Sequence, residues 1–470
     1  MEDHWGKKPF HFSVALLVVI CFGLSAQAQL PTATISGVVK DATGAVIPGV
    51  AVAVTNVATR LTRSAQTGED GSYRFSALPV GTYDIRAEHP GFQTKVEQGL
   101  RIAVGDEAVL NIVLAVGTVI DTVSITAEAP IVNTTSGTLG TLVSEQTVSD
   151  LPLDGRNYND LTLAQPGVSE NRAANTAGTL NGIQFSSNGA PTRSNLFTID
   201  GTIMNDLHNT GASSSNENSL GVEGIREYRV VTNSFSAEYG LNMGSQVTLV
   251  TKSGTNNVHG SVFHFLRNSA LDARNWTDRN TKPPFRRNNF GFSLGGPVRR
   301  DKLFYFMTYE GLRQARTTTE LYTIPSLAAR QDGGLVPAIA ASVKPYLQFW
   351  PAPNGEDLGG GLARFSKANT ERQSEDYGQA RADYNVTNSD SLFGRLTITD
   401  SNDFKQGMID GVFSEFPTRN QYVTLSDSHI FTPELLGTLR GSFSRTHSIA
   451  TSTIDLPSNL AFTRASRWEA

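Results

Sequence analysis

Cysteine is almost absent: the single Cys21 in 470 residues sits near the N-terminus, inside an apolar run. Ile20 before it is too bulky for the small residue that a lipoprotein signal wants there. A chain with no further thiol has no disulfide framework, no thiolate zinc site and no cysteine nucleophile, so its stability must come from burial and strand pairing. An excess of basic charge is lacking too. The formal net charge is −5, with both signs mixed and no basic stripe, which argues against nucleic acid as a partner. His-x-x-Glu and His-Glu-x-x-His pairs are missing, and with them the usual ligands of a metallopeptidase. No metal, no cofactor and no catalytic residue is expected.

Long apolar runs are equally scarce. Phe12 to Leu24 is the one extended run, and it falls short of the roughly 20 residues a membrane helix needs. With His4, Lys7 and Lys8 before it and Ala26-Gln27-Ala28 after it, the stretch has the order of a secretory signal peptide, residues 1–28, cleaved after Ala28. A chain without a membrane helix can enter a bilayer only as a closed sheet.

What is present points to strands. Glycine is frequent, at 43 residues, and helix-period segments are few. Over residues 32–117, short alternating runs are separated by turn signals at regular spacing, the pattern of a small sandwich. Val50, Val52 and Val54 alternate; Asp70-Gly71 makes a tight turn; Tyr73 and Phe75 share one face of their strand. The run from Glu69 to Phe75, with Gly81-Thr82-Tyr83 and Gly91-Phe92, resembles the carboxypeptidase regulatory-like domain, a transthyretin-like β-sandwich. That resemblance implies a non-catalytic accessory module. It would serve as a periplasmic binding or docking unit, with carbohydrate as one ligand class that the resemblance allows, or as a passive spacer.

Residues 118–130 form a joint. Within it, Asp121, Thr122, Val123, Ser124, Ile125, Thr126 and Ala127 alternate before the breaker Ala129-Pro130. The segment looks like a TonB box, which would add as a strand to a partner's sheet edge; the alternative is the last strand of the sandwich, or a linker. Residues 131–255 carry an ordered series: Leu151-Pro152-Leu153-Asp154-Gly155-Arg156, Gln165-Pro166-Gly167, Ile199-Asp200-Gly201, the run Val222 to Tyr228, Ala237-Glu238-Tyr239-Gly240, and Val247 to Gly254. In that order the series resembles the plug domain of TonB-dependent receptors. Arg156, Glu227 and Lys252 are the candidates for contact between plug and barrel wall.

From residue 256 to 470, bulky and small or apolar and polar residues alternate. Phe290, Phe292 and Leu294 interleave with Gly291, Ser293 and Gly295; Ala380, Ala382 and Tyr384 interleave with Gln379, Arg381 and Asp383. Seven strands are expected, near Val258 to Arg267, Asn288 to Val298, Lys302 to Leu312, Asp376 to Thr387, Ser391 to Asp400, Asn420 to Phe431 and Leu435 to Thr446. Long connections should follow the first, third and fifth strands, as outward loops do in outer-membrane barrels. Phe304, Tyr305, Phe306 and Tyr309 suit an aromatic interface girdle. The stretch Asn288 to Pro297, with Lys302 to Phe306 and Tyr309-Glu310-Gly311, resembles the Oar-like branch of these receptors. Gly291-Phe292-Ser293-Leu294-Gly295 also fits a nucleophile elbow, but an elbow must lead into a helix, and Gly296-Pro297 leads into a turn.

The expected fold class is all-β: a transthyretin-like β-sandwich, an α/β plug domain, and the first strands of an incomplete antiparallel transmembrane β-barrel. About 22 strands close around a plug in such transporters, so seven read as part of a longer barrel. The resemblance implies a TonB-dependent receptor or transporter of the outer membrane, surrounded by its lipid, with the N-terminal domain in the periplasm. Its partners would be TonB with the inner-membrane energising complex, and an extracellular ligand that is a siderophore, a glycan or a peptide. The alternative is a surface structural, adhesion or protein-secretion outer-membrane protein with carbohydrate binding.

Overall fold

The computed structural model describes residues 31–117, 125–126, 139–151, 153, 156–171, 184–206, 214, 221–233, 240, 242–274, 278, 282–432 and 435–454. The signal segment, residues 1–28, lies outside the described residues, as do most of the joint and Ala237-Glu238-Tyr239.

The N-terminal unit is a two-sheet sandwich. One sheet contains β1 (Thr32–Asp41) between β4 (Ser72–Pro79) and the short β7 (Glu107–Val109) and β8 (Ile112–Leu114). The other runs in the order β3 (Thr62–Gln66), β2 (Ala51–Asn56), β5 (Gly81–Glu88), β6 (Lys95–Ile102) and β9 (Ile125–Thr126). Alternation explains the packing: Ile35, Val52, Val54, Tyr73, Phe75 and Ile85 all point into the space between the sheets and are buried.

The middle unit is a five-stranded sheet, β10 (Leu139–Ser144), β15 (Ile225–Asn233), β16 (Gln246–Thr251), β13 (Leu196–Ile199) and β14 (Thr202–Ile203), with a small hairpin of β11 (Val168–Glu170) and β12 (Phe185–Ser187). Two short helices, α1 (Glu145–Asp150) and α2 (Asn159–Leu163), accompany it. Ser144 caps α1, its hydroxyl accepting from the Thr147 amide at 3.2 Å.

A ten-stranded antiparallel sheet follows. Its long members are β17 (His259–Asn268), β18 (Phe285–Arg299), β19 (Leu303–Pro325), β21 (Leu362–Asn385), β22 (Asp390–Gln406), β24 (Thr418–Thr432) and β25 (Leu435–Ser448); β20 (Asp357–Gly359), β23 (Val412–Glu415) and β26 (Thr451–Ile454) extend it at the long-loop end. Among the described residues the sheet is open, with β17 and β25 at its edges. The connections alternate long and short as the sequence predicts. Two strands run well past their expected ends, however: β19 pairs with β21 over its whole length, from Leu303↔Tyr384 to Pro325↔Leu362.

The two faces of the sheet differ in chemistry. Leu294, Leu396, Leu425 and Leu439 are exposed on the outer face, while Asn289, Ser293, Thr397, Asn420 and Thr424 are buried on the face turned to the middle unit. Apolar outside and polar inside is the order a lipid-facing sheet requires. The aromatic girdle is corrected by the same alternation. Phe304 and Phe306 are buried on the inner face, and only their neighbours Tyr305 and Tyr309 fall on the outer one. Ser293 lies within the uninterrupted strand β18, its hydroxyl 2.9 Å from that of Ser261, so the elbow-like sequence forms no elbow. No helix among the described residues is long and apolar enough to cross a membrane.

Candidate functional site

Two polar contacts seat the middle unit on the large sheet. The first grows from a tight hairpin. Ile199 pairs with Thr202 across the loop Asp200-Gly201, and both loop residues take positive φ, 46° and 81°. A two-residue hairpin of this kind requires that conformation, which Asp-Gly supplies. The turn aims the Asp200 carboxylate at the sheet. Its Oδ1 accepts from the Thr251 amide at 3.0 Å and its Oδ2 from the Thr251 hydroxyl at 2.8 Å. Arg381 Nη1 is 3.4 Å from Oδ1, and Arg395 Nε is 2.9 Å from Oδ2. The Arg395 Nε contact has the distance of an ion pair without the alignment of a hydrogen bond.

The register explains why an acid belongs there. Arg381 and Arg395 stand directly opposite each other on β21 and β22. Like charges so placed repel. Asp200 from the middle unit and Asp383, whose carboxylate Arg381 grips through Nε and Nη2 at 2.8–3.1 Å, supply the counter-charge. Arg395 completes its shell with donations to Ile199 O at 3.2 Å, Thr424 Oγ1 at 2.6 Å and Thr397 Oγ1 at 3.0 Å. Burial alone would raise the Asp200 carboxyl, but the two guanidiniums and the Thr251 bonds outweigh it and hold it below the ordinary carboxylate value.

The second contact centres on Glu310 of β19. Glu310 Oε1 accepts from the Glu223 amide at 2.8 Å, and its Oε2 lies 3.4 Å from Arg156 Nε. Arg156 Nη2 donates to Glu223 Oε1 at 3.0 Å, and its guanidinium lies 4.2 Å above the ring of Phe263 on β17. Glu223 Oε2 then accepts from Ser261 at 2.9 Å. Gly221 and Gly224 make this approach close: a Cβ on Gly221 would fall 2.4 Å from Glu310 Oε1, and one on Gly224 2.8 Å from the Tyr377 hydroxyl. Arg156, like Asp200, is a non-glycine residue with positive φ, 60°. Such backbone persists where its surroundings over-determine it, here with an ion pair at each.

Arg156 therefore reaches the large sheet, while the other two expected contacts do not, and each is corrected. Glu227 faces the sandwich, where its Oε1 accepts from the Val104 amide at 2.6 Å. Burial raises its carboxyl above the ordinary value, and the Val104 bond offsets this only partly. Lys252 pairs with Glu145 at 3.0 Å, within the middle unit. Of the candidate box, Ile125 and Thr126 lie as the edge strand β9, parallel to β6 at Glu97↔Ile125 and Gln98↔Thr126. Asp121, Thr122, Val123, Ser124 and Ala127 lie outside the described residues. Asp200, Glu310, Arg381 and Arg395 were not among the contacts expected from the sequence. One signal was available: counting outward from the short turn after Asn385 sets Arg381 opposite Arg395, a pairing that calls for an acid.

Among the described residues, no group of three or more His, Cys, Asp or Glu side chains could hold a metal ion. The arrangement has the chemistry of a polar latch.

Residues 250–465 match the family described as the outer membrane beta barrel domain, and residues 34–115 match the carboxypeptidase regulatory-like domain. The chain thus carries a segment similar to outer-membrane β-barrel domains, preceded by one similar to the carboxypeptidase regulatory-like domain, which together indicate an outer-membrane location. The TonB-dependent transporter Oar of Myxococcus xanthus is 26% identical over 310 residues, 62% of this chain and 28% of Oar. The chain is homologous to that transporter over those residues, and spans well under half of its length. Two solved structures are similar at low identity. The outer membrane transporter YddB from Escherichia coli has 13% identity and a TM-score of 0.41, covering 62% of this chain and 37% of that one. The siderophore receptor PirA from Acinetobacter baumannii has 12% identity and a TM-score of 0.30, covering 68% and 59%.

Proposed function

We propose that the chain is the sandwich, plug and first barrel strands of a TonB-dependent outer-membrane transporter, with the sandwich in the periplasm. The middle unit, residues 131–255, acts as the plug, and energy arrives through the segment 121–127. The observation that supports this best is the character of the contact between middle unit and sheet. Its fixed points are ion pairs and hydroxyl contacts, such as Thr202 Oγ1 to Thr424 Oγ1 at 2.5 Å. Ion pairs of this kind hold the seat firmly at rest, and under load their groups can take up water in place of one another, so the seat can open and re-form. A strand such as 121–127 would be taken up by β-augmentation, where extended backbone matters more than side chains. The ligand is a siderophore, a glycan or a peptide.

The test is a photo-cross-linker placed at Thr122 in cells that carry TonB. We expect a cross-link to TonB that is lost in the double variant Val123→Pro, Ile125→Pro, because proline removes the donors that β-addition uses. A cross-link that persists in the double-proline variant, or none from any position between 121 and 127, would overturn the reading.

A further inference from the structure

The joint, residues 118–130, and the stretch up to residue 138 make one link with two ends. Its C-terminal end enters β10, which pairs along β15 from Leu139↔Asn233 to Ser144↔Glu227. Its N-terminal end leaves the sandwich, and the sandwich grips the same strand. The loop after β6 presents the Val104 amide to Glu227 at 2.6 Å and Asp106 Oδ1 to Arg229 Nη2 at 3.0 Å, both partners being on β15. Val80 and Val104 of the sandwich pack with Val250 and Leu142 of the middle unit beside these bonds.

The loop is rigidly tied to its own sandwich. Thr34 N donates to Asp106 O at 2.8 Å, Gly105 N to Thr32 O at 2.9 Å, and Ala103 N to Asp106 Oδ2 at 2.8 Å. Strand β6, which feeds directly into this loop, is also the strand on which Ile125 and Thr126 lie.

We propose that the sandwich is a second load-bearing arm of the plug: a pull on the joint reaches β15 both through the β10 ladder and through β6 and the 103–106 loop, so sandwich and plug move as one body. Strand β15 is well placed to pass the load on. It begins at the Val222–Gly224 turn seated on Glu310, and it pairs with β16, whose Thr251 holds Asp200. Arg229 is a positioning residue in this scheme. The proposal rests on the uptake reading only for the source of the pull.

The test is single-molecule force spectroscopy on the protein in native outer-membrane vesicles, pulled from a thiol introduced by Val123→Cys. The expected trace has one rupture, in which sandwich and plug leave the barrel together. Arg229→Asp puts a carboxylate against Asp106 and should split that rupture in two, the sandwich parting first at lower force. Arg229→Lys keeps the charge and should retain the single event; as it preserves the ion pair, it also shows whether splitting follows the pair or general damage to folding. Two separate ruptures in the parent, or an Arg229→Asp trace identical to the parent's, would overturn the proposal. Failure of the TonB cross-link leaves the force trace untouched, so the two readings fail separately.

Discussion

The middle unit, the proposed plug, meets its two neighbours, the sandwich and the large barrel-like sheet, through different chemistry. Toward the barrel, charge meets charge: Asp200 sits between two guanidiniums, and its side chain and that of Arg395 are essentially without exposure, at 1% and 0%. Toward the sandwich, the central contact is a carboxylate on a backbone amide, Glu227 on Val104, and burial works against the charge rather than being overcome. A buried acid with complementary cations is costly to break and stays ionised. A buried acid served mainly by an amide is sensitive to protonation. The contact with the large sheet is thus held by fixed charges, and the contact with the sandwich is the one that responds to protonation of a carboxyl.

Breaking the barrel-side pair should produce the largest effect. Asp200→Ala leaves Arg381 and Arg395 facing each other in the register with no plug carboxylate, and removing one partner of a buried pair costs about 3–5 kcal/mol. We expect a large drop in the urea midpoint for plug unfolding, followed by hydrogen exchange of the β13 and β16 amides. A midpoint within error of the parent would mean that the ion cluster does not hold the plug.

The second barrel-side contact should respond less. Gly221→Ala sets a methyl group 2.4 Å from Glu310 Oε1 and 2.8 Å from Tyr377 Cδ1, and overpacking of this sort costs about 1–3 kcal/mol. Exchange should rise in the β15 amides nearest the turn and leave the sandwich strands unchanged. Equal loosening of β1 to β8 would contradict the separation of the two seats.

How much of this was legible in the sequence depends on whether a feature has a period. The sandwich strands, the Asp70-Gly71 turn and the alternation of Phe290, Phe292 and Leu294 are written as turn chemistry and dyad spacing, and the structure follows them. The outer halves of β19 and β21 are not, because their cross-strand partners are polar: Arg313 with Asp376 at 2.9 Å, Arg316 with Glu371 at 2.5 Å, Thr317 with Thr370 at 3.1 Å. Such residues resemble loop in one dimension and become a ladder only once paired. The candidate contacts met the same limit. The direction of a charged side chain is not written in the sequence until the units are assembled, so Arg156, Glu227 and Lys252 carried the same signal and went to three different neighbours.

The smallest effect should come from Glu227→Gln, and its sign separates the two seats. The amide side chain keeps an acceptor for Val104 and removes the buried charge, so at neutral pH the sandwich contact should be unchanged or firmer by about 1 kcal/mol or less. The pH dependence follows from the opposite shifts. The Glu227 carboxyl titrates higher in the fold than in the unfolded chain, so the folded state holds more protons between the two values, and stability falls as pH rises through the raised one. Asp200 is shifted the other way: its contribution is full above the ordinary carboxylate value and is lost as pH falls through the lowered one. Mild acidification from neutral should therefore tighten the sandwich contact while the barrel contact holds, and only stronger acid should release the plug. Hydrogen exchange at the Val104 amide, followed as pH is lowered stepwise from 7 toward the ordinary carboxylate value and corrected for the intrinsic rate, should show added protection in the parent and none in Glu227→Gln. If the variant gains the same protection, Glu227 is not the titrating group, and the sandwich seat owes its strength to Arg229 and Asp106 instead.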